Sequence, residues 1–275
     1  MKKILLIVLA LLLTQCSNLK YLNAYNGLKG KPRMIESTTY KINFIDSLEN
    51  EIAAFKMVYY FDSKGRILKQ PNLNKDGTPS YGETKYIYDK KGNVIEYIRY
   101  TKDSFINIKN KYKYNKYGKL LKREYYFNGN RKAITEYNYD RNNRTARITG
   151  RNNDGSFRDN AIEIYDRDWN DIELISYDSL GNKKSRIEFE YDKRGNKYLY
   201  KYYNSKDELY KISKTIFNQY NDPIWASSLK FSSKDTTKGK VTEFKYLYDT
   251  KNNPIEKRLI VNGKTVWVTR NIIRY

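Results

Sequence analysis

The sequence predicts an all-β protein, an antiparallel meander of about sixteen strands built from hairpin repeats of roughly 26 residues. First, an Asp or Asn preceded by an aromatic residue recurs at nearly constant spacing along most of the chain. Second, a Gly or Asn follows three positions later in all copies but one. Third, another turn signal falls half a period further on, so each repeat holds two strands and two turns.

The repeat is anchored on eight Asp or Asn residues, which begin at Asp62. The anchors are Asp62, Asp89, Asn115, Asp140, Asp166, Asp192, Asn218 and Asp249. Successive anchors are 27, 26, 25, 26, 26, 26 and 31 residues apart. The residue before every anchor is Phe or Tyr, and the residue six positions after it is apolar or aromatic. A period this regular indicates a repeat architecture.

Each anchor is predicted to begin a hairpin turn. In the stretch from Asp89 to Asn93, the Asp suits the first position of a type I turn, and Gly92 supplies a positive φ. Such a turn closes a three-residue hairpin loop with a glycine bulge. Asn is the next-best residue for that conformation, and it replaces Gly at Asn143, Asn221 and Asn252. Only Trp169 departs from the rule, so the fifth turn is predicted to be built differently.

The second turn signal of each repeat separates the strands that return across the sheet. It consists of Asp76-Gly77, Lys102-Asp103, Asn128-Gly129, Asp154-Gly155, Ser179-Leu180-Gly181, Ser205-Lys206-Asp207, Lys234-Asp235 and Asn262-Gly263. About 8 or 9 residues remain for each strand, which is normal for an antiparallel sheet. The chain therefore predicts sixteen or seventeen strands, with the anchor turns on one edge of the sheet and the second turns on the other.

Strand alternation predicts two different faces. If Asp89 pairs with Asn93 across its loop, Tyr86 and Tyr88 share one face and Ile95 lies on the other. Because tyrosine tolerates a half-wet position, the aliphatic face is predicted to be the buried one. Strand twist accumulates over a sheet of this size, so we expect a curved, coiling sheet or one rolled into a flattened barrel.

The amino-terminal residues predict export rather than structure. Lys2 and Lys3 precede ten apolar residues, a run about half as long as a membrane-spanning helix needs, so residues 1–15 are predicted to be a removed signal peptide. The sequence Leu13-Thr14-Gln15-Cys16 resembles the lipobox of bacterial lipoproteins, in which the cysteine is acylated. The predicted organisation is a signal peptide over 1–15, a lipidated linker over 16–34 and a repeat domain over 35–275. The alternative is an exported protein without a lipid.

The repeat itself resembles a known family. The pattern YxYDxxGN, seen most fully in Tyr86, Tyr88, Asp89, Gly92 and Asn93, is similar to the YD-repeat, or RHS, family over roughly residues 59–256. The resemblance implies β-hairpins that wind into a spiral sheet, with carbohydrate binding often proposed for the family. Together with the lipobox, the array looks like a bacterial YD-repeat lipoprotein of uncharacterised function.

The composition argues against most catalytic chemistry. The chain has no histidine, and Cys16 is its only cysteine. Catalytic sites built on Ser-His-Asp or Cys-His, and zinc sites built on His and Cys, are therefore excluded. The regular aspartates are explained by turns, and a catalytic carboxylate should break the repeat rather than follow it. We expect no enzyme, no cofactor and no metal site.

The charge predicts an anionic partner. The formal net charge is +22, which becomes +20 when Lys2 and Lys3 leave with the signal peptide. For a lipid-anchored protein of the bacterial cell envelope, most simply at the outer membrane, the anionic neighbours are glycans, lipopolysaccharide and lipid headgroups rather than nucleic acid. Lysines on exposed strands also block aggregation, which explains the charge equally well.

Two functions follow from these observations. The first is a binding module for an anionic or carbohydrate polymer, whose expected ligand face consists of Tyr86, Tyr88, Tyr112, Tyr114, Tyr137, Tyr139 and Trp169. The second is a structural or assembly lipoprotein that pairs with an envelope protein through its sheet edges. In both, Cys16 attaches the chain to the membrane.

Overall fold

A computed structural model describes residues 28–45, 48–74, 76–231, 236–239 and 241–275, which form nineteen strands. The strands are β1 (Met34–Ile45), β2 (Leu48–Phe61), β3 (Ile67–Leu73), β4 (Pro79–Tyr88), β5 (Val94–Tyr100), β6 (Ile106–Tyr114), β7 (Leu120–Phe127), β8 (Asn130–Asp140), β9 (Thr145–Asn152), β10 (Phe157–Tyr165), β11 (Asp171–Tyr177), β12 (Lys183–Tyr191), β13 (Lys197–Tyr203), β14 (Leu209–Phe217), β15 (Pro223–Phe231), β16 (Thr236–Lys238), β17 (Thr242–Tyr248), β18 (Pro254–Val261) and β19 (Lys264–Arg274). Among these residues, no helix is long and apolar enough to cross a membrane. The predicted signal peptide and Cys16 lie outside the described residues.

The sheet is closed. Neighbouring strands in sequence pair antiparallel, and the first strand also pairs with the last, from Met34 opposite Arg274 to Lys41 opposite Trp267. The short strand β16 pairs only with β15, which also pairs directly with β17. Eighteen strands therefore form the barrel wall. This confirms the all-β meander and selects the closed form of the predicted sheet.

The additional strands have simple origins. The eight anchor turns join sixteen strands, as predicted, from β2–β3 to β17–β18. β1 and β19 flank this array and pair with each other, while β16 lies in the longest repeat, between Asn218 and Asp249. Closure leaves β1 and β19 without the open edges on which an edge-pairing function would depend.

All anchor turns lie at one end of the barrel, because every unit crosses the wall and returns. We call this end, formed by the five residues from each anchor together with residues 28–33 and 274–275, the Asp-turn rim, and the other end the opposite rim. In the second anchor turn, the backbone amide of Asp89 donates to the Asn93 carbonyl at 2.9 Å. The Asp89 carboxylate accepts a hydrogen bond from the Asn93 backbone amide at 2.8 Å. Gly92 has φ +88°, as the turn requires. Lys234 and Asp235, predicted to turn at the opposite rim, lie outside the described residues.

Two predictions about the turns were wrong. The fifth turn has the same construction as the second, because Trp169 adopts the left-handed conformation with φ 64° and its amide donates to the Asp166 carbonyl. The fourth turn is the different one. Arg144, not Asn143, has the positive φ, and Asp140 pairs directly with Thr145.

The tyrosine face is the inner, concave face of the wall. Rings on strands two apart approach more closely than their backbones do: Tyr139 and Tyr165 have centroids 6.4 Å apart, although two strand spacings measure about 9.6 Å. Such convergence fits the concave side of a curved sheet, and Tyr137 on the same face belongs to a buried cluster that runs from Leu120 to Phe189. On the convex side, Lys and Arg side chains pair with Glu across strands, as between Lys109 and Glu96 at 3.0 Å.

The prediction that the aliphatic position six after the anchor is buried was therefore wrong for the turns that contain the bulge, while Ala146 of the fourth turn, which lacks the bulge, is fully buried. Leu68 and Ile255 at this position are 43% and 37% exposed. The glycine bulge shifts the register by one residue, so Tyr88 pairs with Val94, and the residue after Val94 is the extra one. Val94 is buried on the inner face with Tyr88. A one-residue shift is sufficient to exchange the faces.

The inner tyrosines connect successive hairpins. The Tyr88 hydroxyl donates to the Ile67 carbonyl at 2.8 Å, and the Tyr114 hydroxyl donates to the Val94 carbonyl at 2.7 Å. In both cases the tyrosine before one anchor reaches the carbonyl five residues after the previous anchor. Tyr191 makes the same bond to Asp171 at 2.9 Å. We call these bonds the tyrosine staples; they satisfy carbonyl groups beside the bulges.

Candidate functional site

Charged residues break the repeat at two inner positions. Three residues before the anchor, six of the eight units have Tyr or Phe, whereas the fifth has Glu163. Five residues after the anchor, only Asp171 and Lys197, in neighbouring units, are charged. In addition, Trp169 occupies the turn position that elsewhere holds Gly or Asn. These exceptions all lie on strands or turns of the fifth and sixth units.

The structure brings these residues together. The Tyr165 hydroxyl donates a hydrogen bond to the Glu163 carboxylate, and the Lys197 ammonium pairs with the Asp171 carboxylate. The Tyr191 hydroxyl of the staple lies 2.8 Å from the Asp171 carboxylate as well as 2.9 Å from the Asp171 carbonyl, so these two oxygens share its one proton. We call Lys119, Glu163, Asp171 and Lys197 the charged cluster. Lys119 belongs to it because it reaches the same place from the third anchor turn.

Glu163 is the most deeply buried carboxyl group of the cluster, with 2% of the residue exposed. Burial raises the pKa of Glu163 to about 7, against the hydrogen bond from Tyr165 and the attraction of Lys197 and Lys119, which lower it; Asp171 raises it further. Burial likewise raises the pKa of Tyr165 well above its ordinary range, together with the charge of Glu163. A carboxyl group that titrates near neutral pH is uncommon outside functional sites.

Lys119 joins the cluster to the surface. Its ammonium lies 5.1 Å from the Tyr165 ring centroid and 5.3 Å from that of Trp169. Burial lowers the pKa of Lys119, while Glu163 and Asp171 act in the opposite direction. The aromatic rings attract the cation through their negative faces. Lys119 is thus a half-buried cation held between aromatic rings.

A cavity opens beside Lys119 at the Asp-turn rim, and we call it the turn pocket. It has a volume of about 640 Å³ and is lined by Asn115, Tyr117, Lys119, Tyr139, Arg141, Asp168 and Trp169. The Arg141 guanidinium stacks on Tyr117, with its central carbon 4.1 Å from the ring centroid. Three aromatic rings and two cations therefore surround a space of the size that small ligands occupy.

Trp169 adopts a strained backbone conformation at this pocket. A positive φ is unfavourable for a bulky residue, by about 1–3 kcal/mol, whereas Gly adopts it freely at the same place in other turns. The Trp169 ring packs on Tyr165, with centroids 5.3 Å apart. Strain of this kind points to a role for the side chain.

The residues of the expected ligand face divide into two groups. Tyr139 and Trp169 line the turn pocket. Tyr137 is core, 4% exposed, and Tyr112 and Tyr114 pack against the same cluster of buried side chains. Tyr86 packs against a second core cluster around Ile35 and Phe61, while Tyr88 forms a staple. The tyrosines therefore do not form the predicted continuous face toward a ligand; of the expected residues, only Tyr139 and Trp169 line the turn pocket.

Five residues of the site were not predicted from the sequence: Lys119, Glu163 and Lys197, and also Tyr117 and Arg141 of the pocket. A usable signal exists for Glu163 and Lys197, since both are exceptions at otherwise uncharged inner positions. Lys119 has no such signal, because several residue types occupy its position after the anchor. Only the curvature of the wall brings the third and fifth units together.

Comparison with known structures finds distant all-β matches. The Photorhabdus luminescens Tc holotoxin pore matches at 13% identity and a TM-score of 0.36, over 83% of this chain and 17% of that one. A porin-like protein from Bacteroides uniformis matches at 9% identity and a TM-score of 0.35, over 88% of this chain and 98% of that one. TcdB2-TccC3 without its hypervariable C-terminal region matches at 11% identity and a TM-score of 0.27, over 83% of this chain and 17% of that one. The chain thus spans about a sixth of the two toxin chains it matches.

No protein-family model matches the chain. No curated protein matches it either.

Proposed function

We propose that the protein is a lipid-anchored binding module of the bacterial cell envelope that holds an anionic saccharide in the turn pocket. The observation that carries this proposal is the pocket itself, where Tyr117, Tyr139 and Trp169 lie beside the cations Lys119 and Arg141. Flat aromatic rings offer large contact surfaces to a sugar ring, and the cations suit a carboxylate or phosphate group. Asp168 adds a hydrogen-bond acceptor for hydroxyl groups.

A binding role agrees better with this pocket than a catalytic role does. The chain has no histidine, and its only cysteine is Cys16, far from the pocket in sequence. The two carboxyl groups of the charged cluster lie behind the pocket wall, since Glu163 and Asp171 are 2% and 4% exposed and do not line the pocket. Buried carboxylates that already accept hydrogen bonds from Tyr165 and Tyr191 shape the field around Lys119 instead of meeting a ligand.

The anchor and the family relationship are parts of the same proposal. Cys16 follows a lipobox-like sequence, and the hairpin repeat with its Asp-initiated turns resembles that of YD-repeat proteins. We place the lipid at Cys16 and the protein at the outer membrane. Mass spectrometry of the purified full chain tests the anchor: a diacylated or triacylated amino-terminal cysteine supports it, and an unmodified Cys16 contradicts it.

The pocket is tested by Trp169→Gly. Glycine is the residue that other anchor turns use at this position, so the substitution removes the ring while the turn keeps its geometry. On an array of acidic and neutral oligosaccharides, we expect the wild type to retain acidic members. The variant should bind them at least about tenfold more weakly, as expected for loss of a central aromatic contact.

The matched control is Asn252→Gly. Asn252 occupies the same left-handed position in the eighth turn, with φ 60°, and it does not line the turn pocket. This variant should bind as the wild type does. Equal binding by Trp169→Gly and wild type, or a wild type that retains no acidic saccharide, would contradict the proposal.

A further inference from the structure

We propose that the Asp-turn rim is a docking surface for an anionic lipid membrane, so that the barrel stands on the membrane with the turn pocket facing it. This inference rests on the proposed lipid anchor and extends it from attachment to orientation. It is carried by where the chain enters the barrel and by how charge is distributed between the two rims.

The chain enters the barrel at the Asp-turn rim and is tied to it. The Lys29 amide donates to the Asn253 side-chain oxygen at 2.7 Å, and the Asn253 amide group donates back to the Lys29 carbonyl at 2.8 Å. Asn253 is 1% exposed, and Pro32 is also fully buried. The Arg33 amide then donates to the Arg274 carbonyl at 2.7 Å. The described part of the chain therefore begins at this rim.

The distance along the chain favours this rim for contact with the membrane. Eleven residues lie between Cys16 and Leu28, so twelve residue steps join the two. Twelve residue steps cover about 20 Å in a random coil and at most about 43 Å in a fully extended chain. The opposite rim lies a strand further away, and a nine-residue strand such as β6 is about 30 Å long. With a lipid at Cys16, the Asp-turn rim is the nearer surface.

Charge distinguishes the two rims in the same direction. The Asp-turn rim carries sixteen Lys and Arg against eight Asp. The opposite rim, in its described turns, carries three Lys against six Asp and Glu; these turns are 76–78, 101–105, 128–129, 152–156, 178–182, 204–208 and 262–264. The barrel is thus basic at the end where the anchor joins it and acidic at the other. An anionic surface attracts the first end and repels the second.

Part of the positive charge at the Asp-turn rim is available, whereas the carboxylates of the anchor residues are already engaged. Lys64, Lys90, Arg167 and Lys193 are exposed, and their side chains make no ion pair or hydrogen bond within the described ranges. The anchor carboxylates accept hydrogen bonds from their own turns, as Asp89 does from the backbone and side-chain amides of Asn93, both at 2.8 Å. The cations can therefore approach lipid phosphates within a screening length of about 8 Å.

The rim also carries an exposed aromatic residue of the kind that lies at membrane interfaces. Tyr117, at the tip of the third anchor turn, is 58% exposed, and Arg141 stacks on its ring. Tyrosine favours the headgroup region, where one end of the ring is wet and the other is not. Tyr117 would enter this region when the rim docks.

The experiment uses the full chain, processed by the cell and reconstituted into vesicles. Lys90→Cys and Lys102→Cys place single labelling sites at opposite ends of β5, the first on the Asp-turn rim and the second on the opposite rim. Both lysines are exposed, and the native Cys16 is blocked where it is acylated. A fluorophore at each site reports proximity to nitroxide quenchers on the lipid headgroups, in vesicles of phosphatidylcholine with or without 30% phosphatidylglycerol.

We expect the label at position 90 to be quenched at least about twice as strongly as the label at 102 in the anionic vesicles, and the difference to shrink in neutral ones. Equal quenching of both labels, or stronger quenching at 102, would overturn the docking while leaving the anchor intact. Protein that does not stay with the vesicles would overturn the anchor and the docking together. If the protein binds acidic saccharides but fails this test, saccharide binding in the turn pocket stands and membrane docking is wrong.

Charge reversal provides the second measurement. Lys90→Glu combined with Lys193→Glu on the Asp-turn rim should reduce the quenching of a label at Lys64→Cys on anionic vesicles to its value on neutral ones, since each basic residue contributes roughly fivefold to surface binding. The matched control, Lys102→Glu with Lys206→Glu, changes the net charge equally on the opposite rim and should leave that quenching unchanged. Equal effects of the two pairs would show that net charge, not the rim, attracts the membrane.

Discussion

At the scale of single residues, the strongest feature is a glutamate where its repeat has aromatic rings. Glu163 is buried against Tyr165 and faces Asp171 on β11, Lys197 on β13 and Lys119 in the third anchor turn, just before β7. Its burial opposes ionisation more than its neighbours support it, so the carboxyl group holds its proton to unusually high pH. The site therefore contains a group whose charge changes near neutral pH, directly behind Lys119 of the turn pocket.

This protonation predicts a pH-dependent stability. The pKa of Glu163 is raised from 4.5 to about 7 in the folded state, so the folded chain binds the proton more tightly than the unfolded chain does. The stabilisation that this proton gives the folded state is fully present below about pH 4.5 and is lost as the pH rises through 7. The free energy of unfolding falls by on the order of 3 kcal/mol over this range. Glu163→Gln, which stays neutral and keeps an acceptor for Tyr165, should remove this decrease between pH 5 and 8.

The measurement is the free energy of unfolding in urea at pH 5, 6, 7 and 8. Glu136→Gln is the control, because Glu136 is an exposed glutamate on a neighbouring part of the wall. The control should follow the wild type at every pH. A Glu163→Gln variant with the same slope as the wild type would show that Glu163 is ionised in the folded protein at neutral pH.

At the scale of the hairpin element, local turn chemistry explains most of the fold. The Asp89 turn follows from its sequence, since its carboxylate and Gly92 satisfy a three-residue loop with a bulge. Trp169 shows the limit of this reasoning: tertiary contacts with Tyr165 and Lys119 hold a residue in a conformation that its own preference opposes. Arg144 shows a second limit of the same reasoning. In the fourth turn the left-handed residue is Arg144, one position after the predicted Asn143.

The tyrosine staples join one hairpin to the next, and the Tyr88 staple predicts a measurable loss. Tyr88→Phe keeps the ring on the inner face but leaves the Ile67 carbonyl without the 2.8 Å hydrogen bond from the hydroxyl. The free energy of unfolding should fall by about 1 kcal/mol. Denaturant unfolding checks this value, with Tyr60→Phe as the control, because the Tyr60 ring contacts Lys69 on the outer face.

The control should change the free energy of unfolding by less than about 0.5 kcal/mol. If both substitutions had the same effect, the hydroxyl of Tyr88 would not be holding adjacent repeats together. Neither variant should alter saccharide binding, since neither Tyr88 nor Tyr60 lines the turn pocket.

At the scale of the whole molecule, closure is the property that the repeat does not contain. The repeat ends with its last unit, and β1 and β19 fall outside it, yet their pairing converts a linear array into a ring. A ring has no terminal repeat that could fray independently, so we expect the barrel to unfold as one cooperative unit.

The pairing of β1 with β19, which closes the barrel, predicts that an engineered disulfide can form between these strands. Thr39 of β1 lies opposite Thr269 of β19, and their hydroxyl oxygens are 3.0 Å apart. In a Cys16→Ser background, Thr39→Cys with Thr269→Cys should oxidise to a crosslink that stabilises the barrel by roughly 2–4 kcal/mol. Gel mobility with and without reductant detects the crosslink, and thermal unfolding gives the gain.

Thr39→Cys with Thr84→Cys is the matched control, because Thr84 is equally buried but lies on β4, away from β1. This pair should stay reduced. Failure of the Thr39 and Thr269 pair to crosslink in folded protein would mean that the sheet is open in solution.

Features that depend on neighbours in the chain could be predicted from the sequence: the period, the turns that begin at Asp89 and its equivalents, the sixteen repeat strands and the single end at which the anchor turns lie. These follow from backbone preferences of Asp, Asn and Gly and from strand alternation, which act over a few residues. Which face is buried could be read only from the folded sheet, because one bulge residue exchanges Val94 for Ile95. The same holds for closure and for the meeting of Lys119 with Trp169, since both depend on the accumulated curvature of many strands, which no single repeat encodes.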